Sequence, residues 1–298
     1  MSDERLDEAS KKKSLSKKNK IIRIGSAVAF LFLLAVGIHF FLDQGDKYVE
    51  EEKEQKEFIK IAKEEKKKGP EGLAKKYKDM VGWIKIPGTE FSYPVMQTGV
   101  KNHHKDDPEF YLHADVHGEY SFMGTPFLDS RCTTESDNLI IYGHNINGGR
   151  MFGYLQGYRQ SSFYKEHPVI CFTKCGSTKE EYDVVAVLIT DIYSHMYTFT
   201  DVYTDTIYME NVEKLLDKSA YETEAGKELK NEIRIANVEE FFHKEKFITL
   251  STCRTGEGRD SRLLIVAKRK NSLASDESIS DMGSDGKDEG KEEESNGK

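Results

Sequence analysis

The stretch Phe247-Ile248-Thr249-Leu250-Ser251-Thr252-Cys253 is a short apolar run of β-forming residues that ends on a cysteine, with Arg259 and Arg262 close behind it. β-Branched and aromatic side chains suit a pleated, half-buried surface, so the run predicts a strand with a thiol at its mouth. The thiolate is the nucleophilic form of cysteine, and neighbouring guanidinium groups favour it. Cys253 is therefore the first candidate for catalysis. Period-two alternation puts Ser251 on the same strand face, where it either lines a substrate groove or simply packs.

The same texture runs upstream. Gly82–Ile86, Tyr93–Gln97, Thr125–Leu128, Asn138–Tyr142, Pro168–Phe172 and Tyr182–Thr190, followed by Phe247–Thr252 and Arg262–Lys268, are short β-rich runs separated by turn residues. Many short strands at such spacing predict a mainly β fold, an antiparallel barrel or sandwich. Helices are expected at Met151–Tyr158, and at Met209–Ala220, Ala225–Asn231 and Val238–Phe242 as an insertion before the last two strands. No internal repeat is evident.

A cysteine nucleophile needs a proton partner. The run Asn138-Leu139-Ile140-Ile141-Tyr142-Gly143-His144 carries a strand into a glycine and then a histidine, which mounts the imidazole at a strand end. Catalytic groups are often held that way, on loops fixed by a rigid scaffold. His103 and His104 are adjacent, and neighbours on an extended segment point oppositely, so a metal site there is not expected. Cys171 and Cys175 read as structural thiols, and a domain of about 190 residues buries enough surface without disulfide staples.

Outside this domain the composition changes. Of the 298 residues, 32% are charged, and the net charge of -8 averages a lysine-rich start against an acidic end, so it says little about partners. Ile24–Leu42 is nearly continuous apolar sequence, long enough as a helix to cross a bilayer. Six lysines and Arg23 lie upstream, and Asp43, Asp46 and Glu50–Glu52 lie downstream. The positive-inside bias then predicts a cytoplasmic N-terminus, and the absence of a small-residue cleavage site favours an uncleaved anchor. The expected organisation is a basic cytoplasmic segment over 1–20, a signal-anchor over 21–42, a charged helical stalk over 43–78, the catalytic domain over 79–270 and a disordered acidic tail over 271–298. The stalk reads as a solvated helix of i,i+4 charge pairs, broken at Gly69-Pro70-Glu71-Gly72 and followed by a shorter helix over Leu73–Lys78.

Taken together, Thr249-Leu250-Ser251-Thr252-Cys253 (the TLxTC pattern), Tyr142-Gly143-His144 and Arg262 opening the next strand resemble the sortase family of cysteine transpeptidases. Val81–Ile86, Tyr93–Gln97, Phe127–Cys132, Met151-Phe152-Gly153 and the helical insertion are similar to class B members in particular. The resemblance implies a closed eight-stranded barrel in which Cys253 attacks the threonine carbonyl of a sorting signal on a secreted surface protein. A thioester would follow, resolved by an amine of a cell-wall precursor of the lipid II type. It implies that His144 shuttles the proton and that Arg262 holds substrate backbone or the oxyanion, in preference to Arg254 and Arg259. Ser251 would line the groove, and Thr198, Thr200 and Tyr203 its other wall. Class B likeness points to an Asn-Pro-x-Thr signal and a Gram-positive type cell membrane. No cofactor, metal or nucleic-acid partner is expected. The competing readings are an exported cysteine peptidase or amidase, a pilin-polymerising sortase and a tethered binding module with a buried thiol.

Overall fold

The computed structural model describes residues 2–99, 103–202, 204–235, 245–256 and 258–270. Ten strands occur among them: β1 (Met80–Lys85), β2 (Ser92–Met96), β3 (Phe127–Leu128), β4 (Asn138–Tyr142), β5 (Asn145–Ile146), β6 (Arg150–Met151), β7 (Val169–Lys174), β8 (Lys179–Asp191), β9 (Phe247–Cys253) and β10 (Ser261–Arg269). Eight close into a barrel in the order β1-β2-β3-β4-β9-β10-β8-β7, while β5 and β6 form a separate ribbon. The pairs β2–β3 and β4–β9 are parallel and the other barrel pairs are antiparallel. Closure removes free sheet edges, which open strands would otherwise leave unpaired.

Alternation along β9 and β10 builds two cores. Ile248, Leu250, Leu263, Ile265 and Ala267 face the barrel interior, whereas Phe247, Leu264 and Val266 pack outward beneath α3 (Asp205–Asp217) and α4 (Glu224–Ile235). Burial on both faces explains why these strands read as continuous apolar runs. The two helices begin and end within a few residues of the expected 209–220 and 225–231; Val238–Phe242 lies outside the described residues. The helix expected over Met151–Tyr158 is a 3-10 run at Phe152–Arg159, followed by α2 (Ser161–Glu166).

The N-terminal helix α1 (Ser2–Ala74) contains one segment, from Ile24, long and apolar enough to cross a membrane. It breaks at Gly69, whose φ is 67° and ψ 170°, and resumes at Pro70, which suits a first helical turn because its missing N–H would be unsatisfied there anyway. The short helix therefore covers 70–74 rather than Leu73–Lys78. The expected charge pairs are present, with Lys47–Asp43 at 2.8 Å, Lys56–Glu52 at 2.9 Å and Lys68–Glu64 at 3.6 Å. The expected solvation is not uniform: Phe58 and Ile61 are buried against the barrel, and Phe58 meets the Tyr93 ring edge-on at 5.6 Å. Sparse apolar residues one turn apart are enough to dock one face of an otherwise charged helix.

Candidate active site

β9 delivers Cys253 as its last residue, exposed where the six residues before it are buried. Arg262 pairs directly with Cys253 across the β9–β10 ladder, and Ser251 pairs with Leu264. Residues opposite one another in an antiparallel ladder project from the same face, so thiol and guanidinium share the barrel's outer surface. The Arg262 guanidinium is oriented by its own turn, Nη1 donating to the carbonyls of Arg259 at 2.7 Å and Ser261 at 3.1 Å.

β4 runs parallel to β9, Tyr142 beside Ser251, and continues through Gly143 to His144. Gly143 is fixed from both sides, its N–H donating to the Ser251 carbonyl at 3.2 Å and its carbonyl accepting from the Thr252 hydroxyl at 2.8 Å. A Cβ at this position would lie 2.5 Å from the Phe152 ring, so the Tyr-Gly-His spacing and the Met-Phe-Gly segment are one packing unit. The His144 carbonyl accepts from Phe152 N at 3.0 Å, while the ring lies 5.6 Å from the His113 ring. Burial pushes the His144 imidazole below its usual range, and the neighbouring His113 adds to this.

Cys253, His144, Arg262 and Ser251 all line one cleft of about 530 Å³. The Cys253 carbonyl is held at 2.9 Å by the side-chain amides of both Asn145 and Gln156, which ties the cysteine's backbone to the loop that carries His144. Ser251 is buried and shares a 2.9 Å hydrogen bond with the Tyr197 hydroxyl, whose ring stacks at 6.1 Å on Tyr142. The Tyr142 hydroxyl donates to Asp129 at 2.8 Å, and Arg131 grips both oxygens of that carboxylate at 2.9 and 2.7 Å. Burial opposes ionisation of Asp129, but the hydrogen bonds from Arg131 and Tyr142 outweigh it and hold the carboxyl below its ordinary value.

The remaining candidates fall elsewhere. Thr200 does not line the cleft; its carbonyl accepts from Asn138 N at 3.0 Å, at the start of β4, the end far from His144. Thr198 is exposed and its hydroxyl turns back onto the His195 carbonyl at 2.6 Å. Tyr203 lies outside the described residues. Arg259 contributes its carbonyl to Arg262, and neither it nor Arg254 lines the cleft. Tyr197, Asp129, Arg131 and Leu112 do line it, and sequence reasoning gave them no role. Only Tyr142 carried a usable signal, being two residues before His144 and so on the same strand parity.

The other thiols differ in kind from Cys253. All four cysteines are free; Cys132 and Cys171 are buried, and burial pushes the Cys132 and Cys175 thiols up to about 11. Among the described residues no group of three or more His, Cys, Asp or Glu could hold a metal ion.

Comparison with known proteins agrees with this geometry. The sortase domain family model matches residues 84–270. Sortase B of Listeria monocytogenes is 31% identical over 198 residues, covering 65% of this chain and 70% of the relative. Sortase B of Staphylococcus aureus is 32% identical over 202 residues, covering 66% and 73%. Among solved structures, a Staphylococcus aureus sortase B–substrate complex superposes with a TM-score of 0.58 at 26% identity, covering 77% of this chain and 98% of that one. The Listeria monocytogenes sortase B structure gives 0.51 at 31% identity, covering 66% and 97%. With the barrel, the strand-end cysteine and the family match in agreement, this chain belongs to the sortase family of transpeptidases and is of the class B type.

Proposed function

We propose that this transpeptidase uses Cys253, His144 and Arg262 to cut a C-terminal sorting signal of the Asn-Pro-x-Thr type after its threonine and to join the protein to an amine of a cell-wall precursor. The observation that carries the assignment is the register Arg262 opposite Cys253, with His144 two residues past the end of β4, on the other side of β9, in the same cleft. The substrate complex solved for the Staphylococcus aureus relative supports a substrate-binding role for this protein.

The chemistry follows from the groups. Neutral His144, the form its buried setting favours, takes the thiol proton, and the Cys253 sulfur bonds to the threonine carbonyl carbon. The carbonyl electron pair moves onto oxygen, where the Arg262 guanidinium offers a fixed positive charge. Collapse re-forms the carbonyl, the carbon–nitrogen bond breaks, and the leaving amine receives the proton from His144. The thioester is then attacked by the incoming amine, which returns a proton to His144, and the thiol is released. Ser251 and Tyr197 wall the groove beside this centre.

The same reading takes residues 79–270 as the catalytic domain, 43–78 as the segment linking it to the anchor, and the segment from Ile24 as a single membrane anchor. The lysines before it would stay in the cytoplasm and the barrel would face outward, in a Gram-positive type envelope. The test is incubation of the full chain in detergent with Asn-Pro-x-Thr and Leu-Pro-x-Thr-Gly peptides, with and without an amine acceptor. Acceptor-dependent product from the first peptide, lost in Cys253→Ala, is expected. Free acid formed at the same rate whatever the acceptor would instead identify a hydrolase, and preference for the second peptide would refute the signal assignment.

A further inference from the structure

One turn of the membrane-proximal helix holds both loops that embrace His144. The Glu54 carboxylate accepts three hydrogen bonds, from Ser121 Oγ at 2.7 Å, Phe122 N at 3.0 Å and Met123 N at 2.9 Å. Ser121 Oγ in turn accepts from Gly124 N at 2.9 Å, and Ser121 N donates to the His113 carbonyl at 3.0 Å. Gly124, with φ of 62°, has no room for a Cβ, which would strike the carbonyl oxygens of Leu112 and Tyr111. Segment 121–124 is thus the backing of segment 111–113, whose Leu112 lines the cleft beside His144 and whose His113 ring lies 5.6 Å from the His144 ring.

Glu51, three residues earlier on the same helix face, reaches the other loop. Its carboxylate pairs with Arg150 at 2.7 Å, the two side chains only 15% and 20% exposed. Arg150 and Met151 form β6 and pair with Ile146 and Asn145 of β5, directly after His144. Met151 has a positive φ of 48°, a costly conformation for a non-glycine residue, and its N–H is held by the Tyr93 hydroxyl at 3.1 Å. The next N–H, of Phe152, closes onto the His144 carbonyl at 3.0 Å.

Phe58 and Ile61 already dock the helix. Partly burying two carboxylates as well costs free energy unless each is well paired; Glu51 is paired with the ribbon that follows His144, and Glu54 with the segment that backs the loop beside it. We infer that Glu51 and Glu54 are positioning residues for the base of the reaction proposed above: the helix that leads from the membrane clamps the two His144 loops in their working geometry.

The test uses the full chain in lipid nanodiscs. Wild type, Glu54→Ala, Glu54→Gln and a stability control, Val212→Ala on the buried face of α3, are compared by thermal melts, by kcat and KM on the sorting peptide, and by ring-resonance titration in ¹³C-histidine-labelled protein. The His144 signal is assigned by its loss in His144→Gln. Glu54→Ala is expected to lower kcat by about ten-fold or more with KM within about two-fold, the scale of a displaced catalytic group. Its His144 ring, now wetter, titrates closer to the ordinary histidine value; Glu109, Asp129, Arg131, Tyr142, Tyr197, Cys253 and Arg262 are the other ionisable groups lining that cleft, and the His113 ring lies 5.6 Å from the His144 ring. Glu54→Gln keeps one acceptor oxygen and recovers part of both properties, and it carries the comparison if Glu54→Ala does not fold. Val212→Ala lowers the melting temperature and leaves both readouts at wild-type values. The inference is overturned if folded Glu54 variants keep wild-type kcat and an unshifted His144 titration, or if Val212→Ala loses as much kcat at equal fraction folded. The ring titration needs no turnover, so a wild-type chain inactive on the peptide refutes the proposed reaction and still leaves the clamp to be judged.

Discussion

Gly143→Ala is the sharpest probe of how the site is built. The substitution adds one methyl group, and its carbon would meet three atoms of the buried Phe152 ring at 2.5, 2.6 and 2.8 Å. Gly143 does not have a left-handed φ, so alanine is allowed by the backbone. At an unstrained position such a change would stabilise by about 0.4–1 kcal/mol through the unfolded chain. Overpacking a full core costs about 1–3 kcal/mol. The clash therefore wins, and a net loss of about 1–2 kcal/mol is expected in urea unfolding. The larger effect falls on activity. The neighbouring strand holds Gly143 through the Ser251 carbonyl and the Thr252 hydroxyl, and Phe152 N is bonded to the His144 carbonyl, so relief comes by shifting the histidine loop. A displacement near 1 Å lowers turnover by roughly a hundred-fold. Combining Gly143→Ala with Phe152→Leu removes the ring edge, and the double variant should recover more activity than the single losses added together. A Gly143→Ala protein as stable as wild type with unchanged kcat would refute the packing account.

Three further outcomes are expected. Arg262→Lys retains charge but not the planar fork, and should lower kcat/KM by about 10²–10³ while leaving the melting curve near wild type; equal activity would remove Arg262 from the oxyanion role. Tyr197→Phe deletes the partner of buried Ser251 Oγ and should cost about 0.5–1.5 kcal/mol in urea unfolding, an effect absent when Ser251 is already alanine. Because burial and then His113 hold His144 below the ordinary histidine value of 6.5, its neutral form contributes stability above that pH, and the contribution is lost as pH falls through the lower folded value. Wild type should thus lose more stability than His144→Gln on acidification from neutral pH to pH near 5; parallel pH curves for the two would contradict a buried neutral imidazole.

The barrel was legible because each strand carries its own signal. Leu263 to Ala267 reads as buried on both faces, and the structure places alternate residues in the inner and outer cores. The cleft around Cys253 was legible only where parity or register could be counted: Ser251 from alternation, Arg262 from its place at the head of the next strand. Thr200 was misplaced because the chain from β8 to α3 has no periodicity to orient it. Its carbonyl is spent at the Asn138 end of β4, about 13 Å along the strand from Tyr142. Tyr197, three residues earlier, supplies the wall instead, from a 3-10 turn whose sequence carries no such count. The docking of the stalk was hidden for another reason. Its charged residues outnumber Phe58 and Ile61, and a carboxylate such as Glu54 looks the same in sequence whether it meets water or three N–H and O–H donors.

The convergence of the three reactive groups is a consequence of strand direction. β4 and β9 run parallel, so both end at the same rim, and β10 starts from that rim because it returns antiparallel. Tyr142, the last residue of β4, is level with Ser251, and the chain carries His144 two residues further, into the cleft where β9 ends in Cys253. On the other side Arg262 is already level with Cys253. Adjacent strands lie about 4.8 Å apart, so Cys253 has Arg262 level with it on one neighbouring strand and, on the other side, His144 on the short extension of β4 into the same cleft. A one-residue insertion between Leu250 and Ser251 would turn Cys253 toward the interior and leave the barrel's apolar alternation upstream intact. Such a variant should fold with an unreactive thiol. Alkylation of Cys253 at the wild-type rate in that protein would show that the face shared by these strands is not what exposes the nucleophile.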